Sequence, residues 1–155
     1  MIVDKMLEIA DAASVAAAAG TALIGSQIDL GEIGRDIGNG EPLYLVITVD
    51  TSIITGGTAG TVRFVLASDS TAAIAVDGTA TEHWTSNDFV TDDDALNALD
   101  AGAVICVPLP LHLPAYERYL GLLCVIGTTT VTAGAISAYI TMDPKGYKAY
   151  PDSRV

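Results

Sequence analysis

His83 and His112 are the residues from which acid–base chemistry would have to start in this chain, because imidazole exchanges its proton near neutral pH. His83 sits in TEHWT, where an ordinary strand sends Glu82 and Trp84 to the opposite face. His112 sits in the proline-bounded PLPLHLP. Either becomes a general base if the fold brings a serine within hydrogen-bond reach. The GxSxG turn that presents a serine nucleophile is absent from the sequence. An unassisted histidine on a surface strand is the commoner use, and no catalytic residue is singled out. A glycosidase carboxylate pair would come from distant strands, and nothing in the sequence marks one.

Two other groups bear on metal binding. Asp92, Asp93 and Asp94, with Asp88 nearby, offer carboxylates of the kind calcium takes. A calcium loop continues its ligands at alternate positions, and here Ala95 and Leu96 stand in their place. The same acids suit the start of a helix. Thr91 caps it, Asp94 stands three residues on, and Asp92 and Asp93 meet the positive end of the helix dipole. Cys106 and Cys124 lie in the apolar runs AVICVPL and LGLLCVIG, without CxxC spacing. They read as buried thiols rather than metal ligands or a disulfide. No metal and no cofactor is expected.

The elements that would position these groups are mostly strands. The stretch Ile28–Asp50, IDLGEIGRDIGNGEPLYLVITVD, is a glycine-punctuated loop that enters a strand. It lacks the Lys-Ser/Thr ending of a phosphate-binding loop and leads into no helix. Leu43, Leu45, Ile47 and Val49 fall on one face by period two, as do Val62, Phe64 and Leu66 in Thr61–Ser68. A short strand is expected near Ala73–Val76, with Asp77-Gly78 as a hairpin turn into Thr79–Thr85. Ala103–Leu109, Glu117–Ile126 and Thr130–Met142 complete the set. Leu96, Leu99 and the stop at Gly102 predict one short helix over about 92–100. Tyr119–Met142 is uncharged and long enough to span a bilayer, but GTTTVTAG divides it into two strands. Roughly seven to nine short strands with little helix predict an all-β antiparallel sandwich, of which a jelly roll is one arrangement. Residues 1–30 are read as an N-terminal arm and first strand, 31–143 as the sandwich and 144–155 as a C-terminal tail, in one domain. The N-terminal residues MIVDKMLEIADA lack the basic end and clean apolar stretch of a signal peptide.

Composition narrows the partners. Seven basic residues stand against nineteen acidic ones, for a net charge of −12. Nucleic acid and anionic membranes both require a basic footprint, so neither is expected. The chain is nevertheless 50% hydrophobic, with a mean hydropathy of +0.45. Surplus apolar surface on one domain points to cover by copies of itself or by another protein.

Three segments, IDLGEIGRDIGNGEPLYLVITVD (28–50), TVRFVLASDS (61–70) and VPLP followed by ERYLGLLCVIG (107–127), together resemble the small cement, or decoration, proteins of tailed-bacteriophage capsids. The shared pattern is an acidic-glycine-arginine loop entering a Leu-Tyr strand, then a strand ending in Ser-Asp, then a Pro-Leu-Pro connector before Arg-Tyr-Leu-Gly-Leu. The resemblance implies a jelly roll without catalysis, located on the capsid exterior. It implies the major capsid protein and further copies of the chain, as homodimer or homotrimer, as partners. The matching positions are Arg35, Asp36, Gly38, Pro42, Tyr44, Arg118, Tyr119 and Gly121, carried over as fold-defining residues. Under this reading Tyr147 and Tyr150 of the tail are candidate interface anchors. The alternatives are a jelly-roll carbohydrate-binding module, which needs an exposed aromatic platform or a bound calcium, and a hydrolase, which needs a pocket with convergent acids or a histidine in reach of a serine.

Overall fold

The computed structural model describes residues 5–31, 37, 42–56, 59–91, 99–110 and 114–144. A 3-10 turn at Lys5–Leu7 leads into β1 (Glu8–Ser14), β2 (Gly20–Asp29), β3 (Tyr44–Ile54) and β4 (Gly60–Asp69). There follow β5 (Thr81–Thr85), β6 (Phe89–Thr91), β7 (Val104–Pro108), β8 (Tyr119–Gly127) and β9 (Ala133–Thr141). One sheet, A, has the order β1-β9-β3-β7. The other, B, has the order β2-β8-β4-β5, with β6 also paired to β4. All described pairings are antiparallel. The chain changes sheet at every step except between β4, β5 and β6. This interleaving is that of a jelly roll, and β5 and β6 share the eighth-strand position between them.

Alternation along the strands explains the core. Leu45, Ile47, Val49 and Ile53 of β3 meet Val62, Phe64 and Leu66 of β4, all buried in one cluster. Leu120, Leu122, Cys124 and Ile126 of β8 and Ile136, Ala138 and Ile140 of β9 complete it. The membrane-length apolar stretch is thus two strands, β8 and β9, in opposite sheets. Among the described residues no helix is long and apolar enough to cross a membrane.

β4 and β8 are apolar on both faces because sheet B is covered twice. Residues 70–80 cross its outer face, and Ile74 packs there with Val65, Ala67 and Leu123. This crossing replaces the short strand expected at Ala73–Val76. Side chains capture the backbone donors that a ladder would have used. Asp69 accepts from the amides of Thr71 (3.0 Å) and Ala75 (3.1 Å), and Gln27 accepts from that of Ile74 (3.2 Å). Asp77-Gly78 is likewise a local turn closed by the Asp77 carboxylate on Thr79, and β5 pairs with β4 instead.

The segment read as an arm and first strand carries two strands, β1 and β2, which form one edge of each sheet. The helix expected over about 92–100 falls mainly outside the described residues. Leu99 is buried, and its carbonyl accepts from Ile53 N (3.0 Å).

Candidate functional site

A β-bulge brings a histidine to a serine. β4 and β5 are in register at Leu66↔Trp84 and again at Ala67↔Glu82, so His83 is the extra residue on β5. A bulge re-aims the side chain it carries. His83 is therefore half-buried rather than lying on an open strand face, and Trp84 beside it also packs against the core. His83 Nε2 stands 2.7 Å from Ser68 Oγ. Ser68 closes the inward row Val62, Phe64, Leu66 and is 0% exposed.

The connector before β8 completes the cluster. Tyr116 stacks on the His83 ring, with centroids 4.0 Å apart and planes 23° apart. Its hydroxyl donates to the Pro110 carbonyl at 2.8 Å, and burial pushes its pKa up to about 12. Glu117 N donates to Ser68 Oγ at 3.0 Å, and the Glu117 carboxylate accepts from Thr81 Oγ1 at 2.5 Å. Ser68 Oγ thus accepts from Glu117, and its own proton is free for His83 Nε2. The ring proton then resides on Nδ1. Nδ1 is buried beside the Pro114 carbonyl but makes no hydrogen bond of good geometry. Desolvation lowers the His83 pKa below 6.5, against the opposing pull of the Glu117 charge.

This pair has the composition of a nucleophile and its base, but Ser68 is enclosed and its oxygen is already engaged. Chemically it is a bridge that ties the connector to β4 and β5. His112, the other candidate base, lies outside the described residues.

The positions carried over from the resemblance divide in two. Arg35, Asp36 and Gly38 lie outside the described residues, as do Tyr147 and Tyr150 and the acids Asp92, Asp93 and Asp94. Arg118, Tyr119 and Gly121 cluster at the start of β8. Arg118 Nε and Nη2 each donate to the Asp29 carboxylate at 3.0 Å, in a two-pronged bond from the residue before β8 to the last residue of β2. Its guanidinium also stands 5.1 Å from the centroid of the Tyr119 ring. The Arg118 bond and the Gly31 amide hold the Asp29 pKa below 3.8. Gly121 is buried under Ile74, whose Cδ1 would be 2.8 Å from a Cβ there. Pro42 is exposed just before β3, and Tyr44 pairs with Pro108 and Thr141 at the end of sheet A. These residues shape edges and crossings; they do not converge on one pocket.

The concavities of the described surface include a groove and a cup. The groove, of about 640 Å³, runs between Lys5–Ala13 and Gly25–Leu30, where β1 and β2 meet. The cup, of about 280 Å³, lies under residues 75–80 on sheet B, with Arg63 and Glu82 at its sides. Neither contains Ser68 or His83. Among the described residues no three His, Cys, Asp or Glu side chains gather as a metal site. Both cysteines are free, and burial pushes the Cys124 thiol up to about 12. Met6 and Met142 are exposed, at 78% and 65%. They flank the same end of sheet A, where Glu8 pairs with Tyr139.

A family model, Bbp16, matches residues 9–140, from the second residue of β1 to the penultimate residue of β9. The chain belongs to the Bbp16 family. The Bbp16 match covers every strand and both clamps, Ser68–His83 and Arg118–Asp29. It stops short of the tail that holds Tyr147 and Tyr150. No curated protein matches the chain.

The Ser68–His83 contact was half legible in the sequence. A strand ending at Ser68 and another returning through His83 fifteen residues later can pair antiparallel. The bulge that turns His83 towards Ser68, and the distant contribution of Tyr116 and Glu117, had no local signal.

Proposed function

We propose that this chain is a non-enzymatic cement protein that binds the outer surface of a tailed-phage capsid and stabilises contacts between major capsid protein subunits. The observation that carries the reading is the ordered set of resembling segments together with where they fall. They occupy the end of β2 through β3, the strand β4, and the passage from β7 into β8, within a jelly roll. The residues common to the pattern at Arg118, Tyr119 and Gly121 serve the fold, binding the entry to β8 to the end of β2 and seating Ile74.

The physical character of the chain supports the same role. A net charge of −12 suits the outside of a shell whose interior is packed with polyanion. A rigid sandwich adds buried area across a seam, and many copies on one shell turn modest contacts into large avidity. The partners in this reading are the major capsid protein and other copies of the chain, with neither nucleic acid nor membrane.

Co-sedimentation tests the proposal. Purified chain mixed with phage shells that lack it pellets with the shells and saturates at a fixed ratio to the capsid subunit. Replacing both Tyr147 and Tyr150 by alanine weakens that binding if the tail supplies the anchors. Failure of the unaltered chain to pellet at any concentration contradicts the reading.

A further inference from the structure

We propose that the Ser68–His83–Tyr116 stack is an acid-sensitive latch, which holds connector residues 114–117 against sheet B while His83 is neutral and releases them when the imidazole takes a second proton. The inference rests on the geometry of the cluster and is independent of the cement reading.

The closed form uses the neutral ring. Ser68 Oγ accepts from Glu117 N and, in the tautomer with the ring proton on Nδ1 towards the Pro114 carbonyl, gives its own proton to His83 Nε2. A proton on Nε2 turns that acceptor into a donor. Ser68, enclosed on all sides, then faces two donors and must find another acceptor for its own proton. The charged ring would also be buried against the face of Tyr116. Among the described residues, the groups facing His83 come from β4 and the connector. β4 supplies Ser68, and the connector supplies Tyr116, the Glu117 carboxylate and the Pro114 carbonyl. Glu117 favours the imidazolium, but desolvation outweighs it.

The connector is fixed at both ends, by Leu109 N on the Leu43 carbonyl and, at Arg118, by its carbonyl on Leu30 N and its guanidinium on Asp29, so release is confined to residues 114–117. Tyr116 bonds back to Pro110, next to the fixed Leu109, so that bond breaks on release of this part of the connector. The links from its C-terminal half to sheet B include Glu117 N on Ser68, the Glu117 carboxylate on Thr81 and the His83–Tyr116 stack. Release withdraws Tyr116 from the core cluster to which it belongs.

The sign of the effect is fixed. The His83 pKa is lowered in the closed form and returns to about 6.5 in the open one. Closure is fully favoured above 6.5 and weakens as pH falls below it. The equilibrium moves by at most about tenfold towards the open form for each pH unit below 6.5, until the closed-form pKa is reached.

Amide hydrogen exchange read by NMR, corrected for the intrinsic effect of pH, tests this. Protection of the Glu117 amide should fall as pH drops below 6.5, by no more than about tenfold per unit, while Leu122 in β8 keeps its protection. His83→Gln should abolish the pH dependence at Glu117, and His112→Gln should leave it intact. A second signature needs no variant: Glu117 protection starts to fall while the His83 ring signals still report the neutral form. The latch is overturned by pH-independent protection in the unaltered chain, by a pH dependence that survives His83→Gln, or by one that vanishes in His112→Gln.

Discussion

Gly25 of β2 is pressed against the backbone of Ile9 in β1, at the corner where the two sheets meet. A Cβ at Gly25 would collide with the Ile9 carbonyl oxygen and stand 3.0 Å from Cα of Ala10. Its φ of +65° is left-handed as well. The close approach interrupts the β2–β8 register between Ile24 and Ile28 and brings the edges of the two sheets together. Gly25→Ala should therefore cost about 2–3 kcal/mol, from the backbone conformation and from overpacking against an atom that cannot rotate away. Urea denaturation measures it, and an unchanged midpoint would show that the corner is looser than described.

Ile74 is the staple of the second apolar layer. It is 2% exposed, lies over Gly121 and holds residues 70–80 on sheet B. Ile74→Ala should destabilise the fold by about 2–4 kcal/mol and make residues 70–80 the first site of proteolytic cleavage. Cleavage elsewhere first, at unchanged stability, would contradict the staple.

The sequence made the strands legible where one face alone is buried. Leu45, Ile47 and Val49, and likewise Val62, Phe64 and Leu66, alternate as expected and all reach the core. It was misleading where side chains intercept the backbone. Asp69 and Gln27 consume the donors of residues 71–75, so a stretch with strand-like composition forms no ladder. His83 escaped because a one-residue bulge breaks the alternation on which its outward placement depended. Arg118 was legible as a fold-defining residue through the resemblance. Its partner Asp29 was not, because the pair spans most of the chain.

The Arg118–Asp29 bond should report on pH in the acid range. The Asp29 pKa is lowered in the fold, so the pair contributes above the unfolded value of 3.8 and is lost as pH falls through the lower, folded value. Asp29→Asn should lower the melting temperature at neutral pH, and the gap from the unaltered chain should close in acid. A gap that persists at the lowest pH would assign the effect to something other than this charge. Arg118→Lys should behave more like a loss than a conservative change, since lysine cannot make the two-pronged bond.

Ser68→Ala separates a structural hydroxyl from a nucleophile. It leaves the Glu117 amide without its acceptor and should cost about 1–3 kcal/mol in stability. Screening the unaltered chain against ester and glycoside substrates should give no turnover for the alanine variant to abolish. Turnover that disappears in Ser68→Ala would make the Ser68–His83 pair catalytic and end the non-enzymatic account.

The most direct test of the proposed role is electron cryo-microscopy of capsids assembled from the phage's own major capsid protein, with and without this chain. The account predicts jelly-roll density on the outer surface at regular positions bridging neighbouring capsid subunits, and shells that withstand higher temperature when it is present. Shells with bare outer surfaces at saturating chain, and no gain in heat resistance, would contradict it.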